Sequence, residues 1–377
     1  MNRHELLIYL SVLAGVGSIG LAEACSSLSP YPGEDPTGVY EAGYQIGTTG
    51  GGPTPTDGGV LGDGEVVGDG DLGDGAVPVC TGCTVLAMGV NPQSLTLDPT
   101  NVYFPTEGTG AGTGAVMSVP RLGGTTTPIA SGLTGPLDVK YANSWLGWSA
   151  FSGTGLGQSS VSLVAIPATT PTTPGATQNS AYGVALDSAN LYWVSTDTTG
   201  DVLVQASPLT GGGLTTLGMT TGGTYEPFDM AVTTSWIYFA AYIPGGGGGL
   251  FQLAVTGGGS PSEVWTGSSM SEPRGVAVDP SMTNVYWTDY GVGSVYSMPV
   301  GGGTVTTLAS GITNPFEIAV DSTNAYFTAV TGVYVVPLGS TTATLLVSTD
   351  SPLGVAADDS DGNVYFANGG QVISHAK

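Results

Sequence analysis

Residues 276–311 read VAVDPSMTNVYWTDYGVGSVYSMPVGGGTVTTLASG, and residues 318–346 repeat the theme as IAVDSTNAYFTAVTGVYVVPLGSTTATLL. Each stretch holds a short apolar strand ending in Asp, an Asn-led aromatic pair, a strand ending in Pro and a Thr/Leu strand, with turn residues between. The aromatic pair recurs as NVYF at Asn101, NLYW at Asn190, NVYW at Asn284, NAYF at Asn324 and NVYF at Asn363, with degenerate copies NSWL at Asn143 and WIYF at Trp236. The key aromatics Tyr103, Trp145, Tyr192, Tyr238, Tyr286, Tyr326 and Tyr365 lie 39 to 48 residues apart, the length of a four-stranded propeller blade.

Ahead of each pair runs a first strand: SLTLD at Ser94, DVKYA at Asp138, GVALD at Gly183, DMAVT at Asp229, GVAVD at Gly275, EIAVD at Glu317 and GVAAD at Gly354. Its centre is small in most copies (Ala185, Ala231, Ala277, Ala319, Ala356), which suits the crowded axis. The aromatics fill the widening space between blades. The last copy ends after QVIS at Gln371–Ser374 without a fourth strand, while TVLAMG at Thr84–Gly89 is an orphan strand upstream. Pairing the two closes a ring of seven blades; six blades with irregular ends is the alternative.

Composition sets outer limits on function. Only 9% of the 377 residues are charged, with 29 acids against 5 bases and a net charge of -24. That balance denies the chain the Lys/Arg footprint that nucleic acid requires. The two histidines, His4 and His375, leave no histidine in the body of the repeats for acid–base or zinc chemistry. Glycine at 63 positions divides between a spacer and the hairpin turns.

The N-terminus reads as an address. Arg3 precedes the apolar run Leu6–Ala22, and residues 1–24 form a signal peptide. The sequence Ala22-Glu23-Ala24-Cys25 fits both an ordinary cleavage site and a bacterial lipobox with Cys25 as the lipidated residue. Lipidation of Cys25 leaves Cys80 and Cys83 as an even pair, and C-x-x-C before a strand in an exported protein points to a structural disulfide. Residues 25–79, Gly/Asp/Pro-rich with nine acids and no base, read as a disordered tether, and residues 80–377 as the propeller domain. The expected location is the cell envelope, as an outer-membrane lipoprotein held only by its lipid, or the secreted fraction.

The repeats resemble the YWTD and NHL class of β-propellers, with Tyr286, Trp287, Thr288 and Asp289 spelling the YWTD motif itself. With the lipobox and acidic spacer, the chain is similar to uncharacterised bacterial propeller lipoproteins. This resemblance covers residues 84–377 and implies a fold, not an activity, because such propellers serve as receptors, lyases, lactonases and scaffolds.

Three features are candidate sites. Acids alternate with glycine at the entrance of the innermost strands, so Asp138, Asp229 and Glu317 are expected to converge in the central funnel as a candidate metal site, and no cofactor is expected other than calcium there. Arg274, on the same rim, and Tyr182, Phe228 and Phe316, each one residue before the alternating position, are candidate exposed binding residues. The recurring Asp98, Asp187, Asp279, Asp321 and Asp358 open D-x-x-N turns and are assigned to structure. The expected function is a monomeric, non-enzymatic ligand-binding or scaffold propeller for a protein, peptide or glycan. The alternative is a divalent-metal-dependent hydrolase or lyase of the propeller lactonase type, using the acidic funnel.

Overall fold

The computed structural model describes residues 80–90, 92–108, 111–151, 159–168 and 170–377; the signal peptide, Cys25 and the tether lie outside the described residues. The 28 strands form seven four-stranded antiparallel sheets, arranged as a seven-bladed β-propeller. The inner strands of blades 1 to 7 are Thr96–Leu97, Pro136–Ala142, Val184–Leu186, Glu226–Val232, Pro273–Val278, Ile318–Val320 and Val355–Ala357. Within blades 1 to 6 the strands pair in sequence order from the axis outward. Blade 7 takes its outer strand from the other end of the domain: Cys83–Met88 pairs with Gln371–Ala376, Cys83 opposite His375 and Met88 opposite Gln371. The ring of seven is therefore closed by the orphan strand, and Cys80 and Cys83 are joined as a disulfide at its start.

The aromatic pair explains the packing. Neighbouring residues on a strand point to opposite faces, so one member of each pair meets the next blade and the other the blade before. Tyr103 of blade 1 shares a core with Trp148 of blade 2, Tyr192 of blade 3 with Phe239 of blade 4, and Tyr238 of blade 4 with Trp287 of blade 5. The pattern continues through Tyr286 with Phe327 and Tyr326 with Phe366 to Tyr365 with Phe104, which seals blade 7 against blade 1. Blade 2 meets blade 3 through Trp193, with Trp145 packed against that cluster.

The tyrosine hydroxyls are fixed by the repeated aspartates. Asp98 accepts the amides of Thr100 and Asn101 at 2.7 and 2.6 Å, and the Tyr103 hydroxyl donates to its second oxygen at 2.7 Å. Asp187 with Tyr192 at 2.7 Å and Asp321 with Tyr326 at 3.2 Å repeat the arrangement. One carboxylate thus caps the turn and anchors the core ring five residues on. Burial disfavours the charge on Asp98, but the Tyr103 hydroxyl and the turn amides outweigh it and lower its pKa. Blade 7 divides the task. Asp361 receives the Tyr365 hydroxyl at 2.6 Å, while Asp358 caps Ser360 and grips Arg121 of blade 1 through two hydrogen bonds, of 3.0 and 2.5 Å. Truncating a sealing ring, Phe366→Ala, is expected to cost about 3–5 kcal/mol in a urea titration. Leu122→Ala, at 96% exposure, is expected to stay within about 0.5 kcal/mol.

Candidate functional site

Three of the longer inner strands carry a β-bulge at the same place. Pairing slips between Pro136 and Val139 in blade 2, Pro227 and Met230 in blade 4, and Pro273 and Val276 in blade 5. A bulge re-aims the side chains it contains. The residues caught in it are Leu137-Asp138, Phe228-Asp229 and Arg274-Gly275, which belong to the two rings of positions singled out in the sequence.

The acid ring converges, but on an amino group. Lys140 Nζ lies 3.3 Å from Asp138 Oδ1, 3.2 Å from Asp229 Oδ1 and 3.4 Å from Glu317 Oε1. One ammonium reaching carboxylates of blades 2, 4 and 6 stands on the propeller axis. Its side chain keeps 24% exposure, so it is surrounded by protein while still touching channel solvent. Among the described residues no three Asp, Glu, His or Cys side chains are grouped to hold a metal ion. The position expected for a cation is taken by Lys140.

The sequence carries one signal for Lys140, a departure from an otherwise small position. Two residues after the alternating position, five blades carry the small Ala185, Ala231, Ala277, Ala319 and Ala356, and blade 1 carries Thr96; blade 2 carries Lys140. The small-residue rule was legible, and the single exception marked the group that crosses the axis.

The alternation of acid and glycine follows from blade-to-blade contact. Asp138 Oδ2 accepts the amide of Val184 in blade 3 at 2.9 Å, and Asp229 Oδ2 accepts that of Val276 in blade 5 at 2.9 Å. Ser94 does the same from blade 1, accepting the Val139 amide at 2.9 Å. The glycines make the return contact: a Cβ on Gly183 would lie 2.8 Å from the Asp229 Cα, one on Gly275 3.0 Å from the Glu317 Cα, and one on Gly354 2.8 Å from the Ser94 Cα. Polar blades reach forward with a side chain, and glycine blades let the next backbone come close.

Electrostatics at the axis are set by burial. Burial is the largest influence on both Asp229 and Glu317; Lys140 opposes it and the neighbouring acids add to it, pushing Asp229 up to about 6 and Glu317 up to about 8. Burial opposes the charge on Lys140 as well, but three surrounding carboxylates outweigh it and hold its pKa well above the ordinary lysine value.

The second ring forms an aromatic belt one residue closer to the channel mouth. Phe151 stacks on Tyr182 at 5.8 Å, Tyr182 meets Phe228 at 6.0 Å, and Phe228 stacks on Tyr242 at 5.5 Å. The Arg274 guanidinium continues the belt, 4.5 Å from the Phe228 ring, 4.1 Å from Tyr290 and 5.7 Å from Phe316, with Glu272 paired at 3.2 Å. The expectation of four exposed residues is corrected here: Arg274 and Tyr182 are buried, at 5% and 6% exposure, and Phe228 and Phe316 are half-buried. The bulges turn Phe228 and Arg274 toward each other, and packing rings over the guanidinium stabilises the mouth.

No family model and no curated protein matches the chain. Solved structures do. A chain of Kuenenia stuttgartiensis hydrazine synthase aligns over 78% of this chain and 97% of its own length at 13% identity and a TM-score of 0.62. A chain of the mitotic checkpoint complex aligns over 82% and 99% at 12% identity and 0.60. A chain of a nidogen/laminin complex aligns over 55% and 82% at 16% identity and 0.45. What the first two share with this chain is the propeller fold alone.

The raised carboxyls fix the direction of a pH effect. Between the unfolded values of 3.8 and 4.5 and the folded values near 6 and 8, the native state holds protons that the unfolded chain has lost, so these two groups lose stability as pH rises from about 4 to 8. The lowered aspartates, Asp98 and Asp358 among them, lose theirs only below about 4. Maximum stability is expected near pH 4–5, and Glu317→Gln is expected to flatten the decline above it. Lys140→Met, which leaves the acids without their cation, is expected to cost about 3–5 kcal/mol at pH 8 and much less at pH 5. Urea titrations across that range check both; an equal loss at the two pH values would show that the carboxyls do not titrate as assigned.

Proposed function

We propose that the chain is a non-enzymatic binding propeller held at the bacterial cell envelope by a lipid on Cys25, presenting its channel mouth to a peptide, glycan or protein. The supporting observation is the occupation of the axis. Asp138, Asp229 and Glu317 face the Lys140 ammonium, and two of them also accept amides of the neighbouring blade. A carboxylate committed to a resident ammonium is poorly placed to ligate a metal. The same observation counts against the lactonase-type reading, which needs those carboxylates as ligands.

The belt favours a contact surface. Phe151, Phe228, Tyr290 and Phe316 are half-buried, and such rings stack on sugar faces and on peptide side chains at small entropic cost. The tether, about fifty residues of Gly, Pro and Asp, has the composition of a flexible coil that leaves a membrane-anchored domain free to reorient.

Two measurements test this reading. The Cys25→Ser chain is expected in the soluble fraction while the unaltered chain stays with membranes; an unaltered chain that is already soluble removes the anchor. Calorimetric titration of residues 80–377 with calcium is expected to give no saturable heat, and saturable binding abolished by Glu317→Gln would restore the metal-dependent alternative.

A further inference from the structure

The strand that closes the ring is preceded by the disulfide Cys80–Cys83, yet the bridge does not join the two ends of the domain. Both cysteines belong to the N-terminal segment, three residues apart, and the seam itself is the backbone pairing of Cys83–Met88 with Gln371–Ala376. A bridge over so short a loop removes less chain entropy than one that ties distant segments. It also lies at the surface: the two cysteines are half-buried, and Thr81 and Gly82 between them are exposed. Ring closure does not account for it.

Beside the bridge stands the one histidine among the described residues. His375 is directly opposite Cys83 in the sheet, and opposed residues of an antiparallel pair share a face. The corresponding position on the third strand of the other blades, paired as His375 is with Val364, holds Val119, Val164, Ser207, Leu253, Met298 or Val336. All six are buried and five are apolar. Blade 7 alone places a half-buried imidazole there.

The ring is oriented by its hydrogen bond. Nδ1 donates to the Ala376 carbonyl oxygen, which can only accept, so the neutral ring keeps its lone pair on Nε2. That nitrogen faces the C-x-x-C turn: a Cβ on Gly82 would lie 3.6 Å from it. One edge of blade 7 thus holds two half-buried sulfurs, an exposed turn and a basic nitrogen aimed at it.

We propose that Cys80–Cys83 is a redox-active pair that oxidises an external dithiol, with His375 as the neighbouring base that assists the exchange. This goes beyond the structural role expected of the bridge and does not rest on the reading of the channel mouth. His375 Nε2 takes the proton of one dithiol sulfur, and the resulting thiolate attacks Cys80 Sγ. The Sγ–Sγ bond breaks, and Cys83 leaves as a thiolate that receives the proton from Nε2. The second dithiol sulfur loses its proton and attacks the mixed disulfide, and Cys80 departs and takes up that proton. The dithiol leaves as a disulfide, having given two electrons, and Cys80 and Cys83 remain as thiols. Cys80 is assigned as the sulfur attacked because it lies outside the strand, whereas Cys83 sits in the sheet opposite the base.

The test is reduction of the Cys25→Ser full chain, whose only cysteines are Cys80 and Cys83, by dithiothreitol. New thiols are trapped with iodoacetamide and counted by mass spectrometry. Reduction is expected below the urea transition, at a rate that does not rise with urea, and the product is expected to unfold in one cooperative step. His375→Val, the residue that blades 1, 2 and 6 carry at this position, and His375→Gln are both expected to slow reduction at least about tenfold at neutral pH. The ratio of unaltered to variant rates is expected to change between about pH 5 and pH 8, as a base requires and a packing residue does not. Urea curves of the variants check that they fold. The proposal falls if reduction proceeds only through unfolding, if both variants react as fast as the unaltered histidine, or if the pH profiles run parallel.

Discussion

Everything in this molecule depends on the pleat of one strand per blade. Because adjacent residues of a strand point to opposite faces, an aromatic dipeptide sends one ring forward and one back. A repeat whose two faces are both apolar cannot stop at one copy, since each exposed face requires a neighbour. Seven copies satisfy the requirement by closure, and the seven buried clusters correspond one to one with the seven blade interfaces. The Asp that caps the turn before the pair holds the tyrosine hydroxyl, so the element that ends the inner strand also orients the ring that seals the interface. Local turn chemistry and ring closure are two consequences of one motif.

The same logic explains why the fold was legible and the site only partly so. Blade number, strand order and the closing pair Cys83–Met88 with Gln371–Ala376 follow from a pattern repeated often enough to expose its exceptions. The meeting of Asp138, Asp229 and Glu317 was legible for the same reason, since equivalent positions in a ring face a common axis. Their partner was not. Lys140 departs from the pattern at one position, and one departure carries little weight in a sequence read for recurrence. The rim residues misled for a different reason: Phe228 and Arg274 sit inside bulges, and a bulge reverses facing without leaving a mark that periodicity detects.

The scarcity of basic residues takes on meaning in this light. Each of the four in the described residues is committed to an acid, and three of them tie different blades together. Arg121 joins blade 1 to Asp358 and Asp361 of blade 7, Lys377 joins blade 7 to Asp321 of blade 6 at 2.8 Å, and Lys140 joins blades 2, 4 and 6. Arg274 pairs with Glu272 within blade 5 while its guanidinium spans rings of blades 4 to 6. Positive charge serves cohesion here, and the acids left over give the molecule its strong negative balance.

A lysine among three carboxylates behaves differently from a metal in the same cage. A divalent ion binds and leaves, so its site is a variable of the surroundings. An ammonium on a side chain is always present, and its contribution varies only with the protonation of its partners. Burial has already pushed Glu317 into the range where it gains and loses a proton near neutrality, because three acids outnumber one base in a poorly hydrated channel. The axis therefore carries a fixed cation with an adjustable countercharge. That arrangement ties alternate blades together through groups the chain itself supplies.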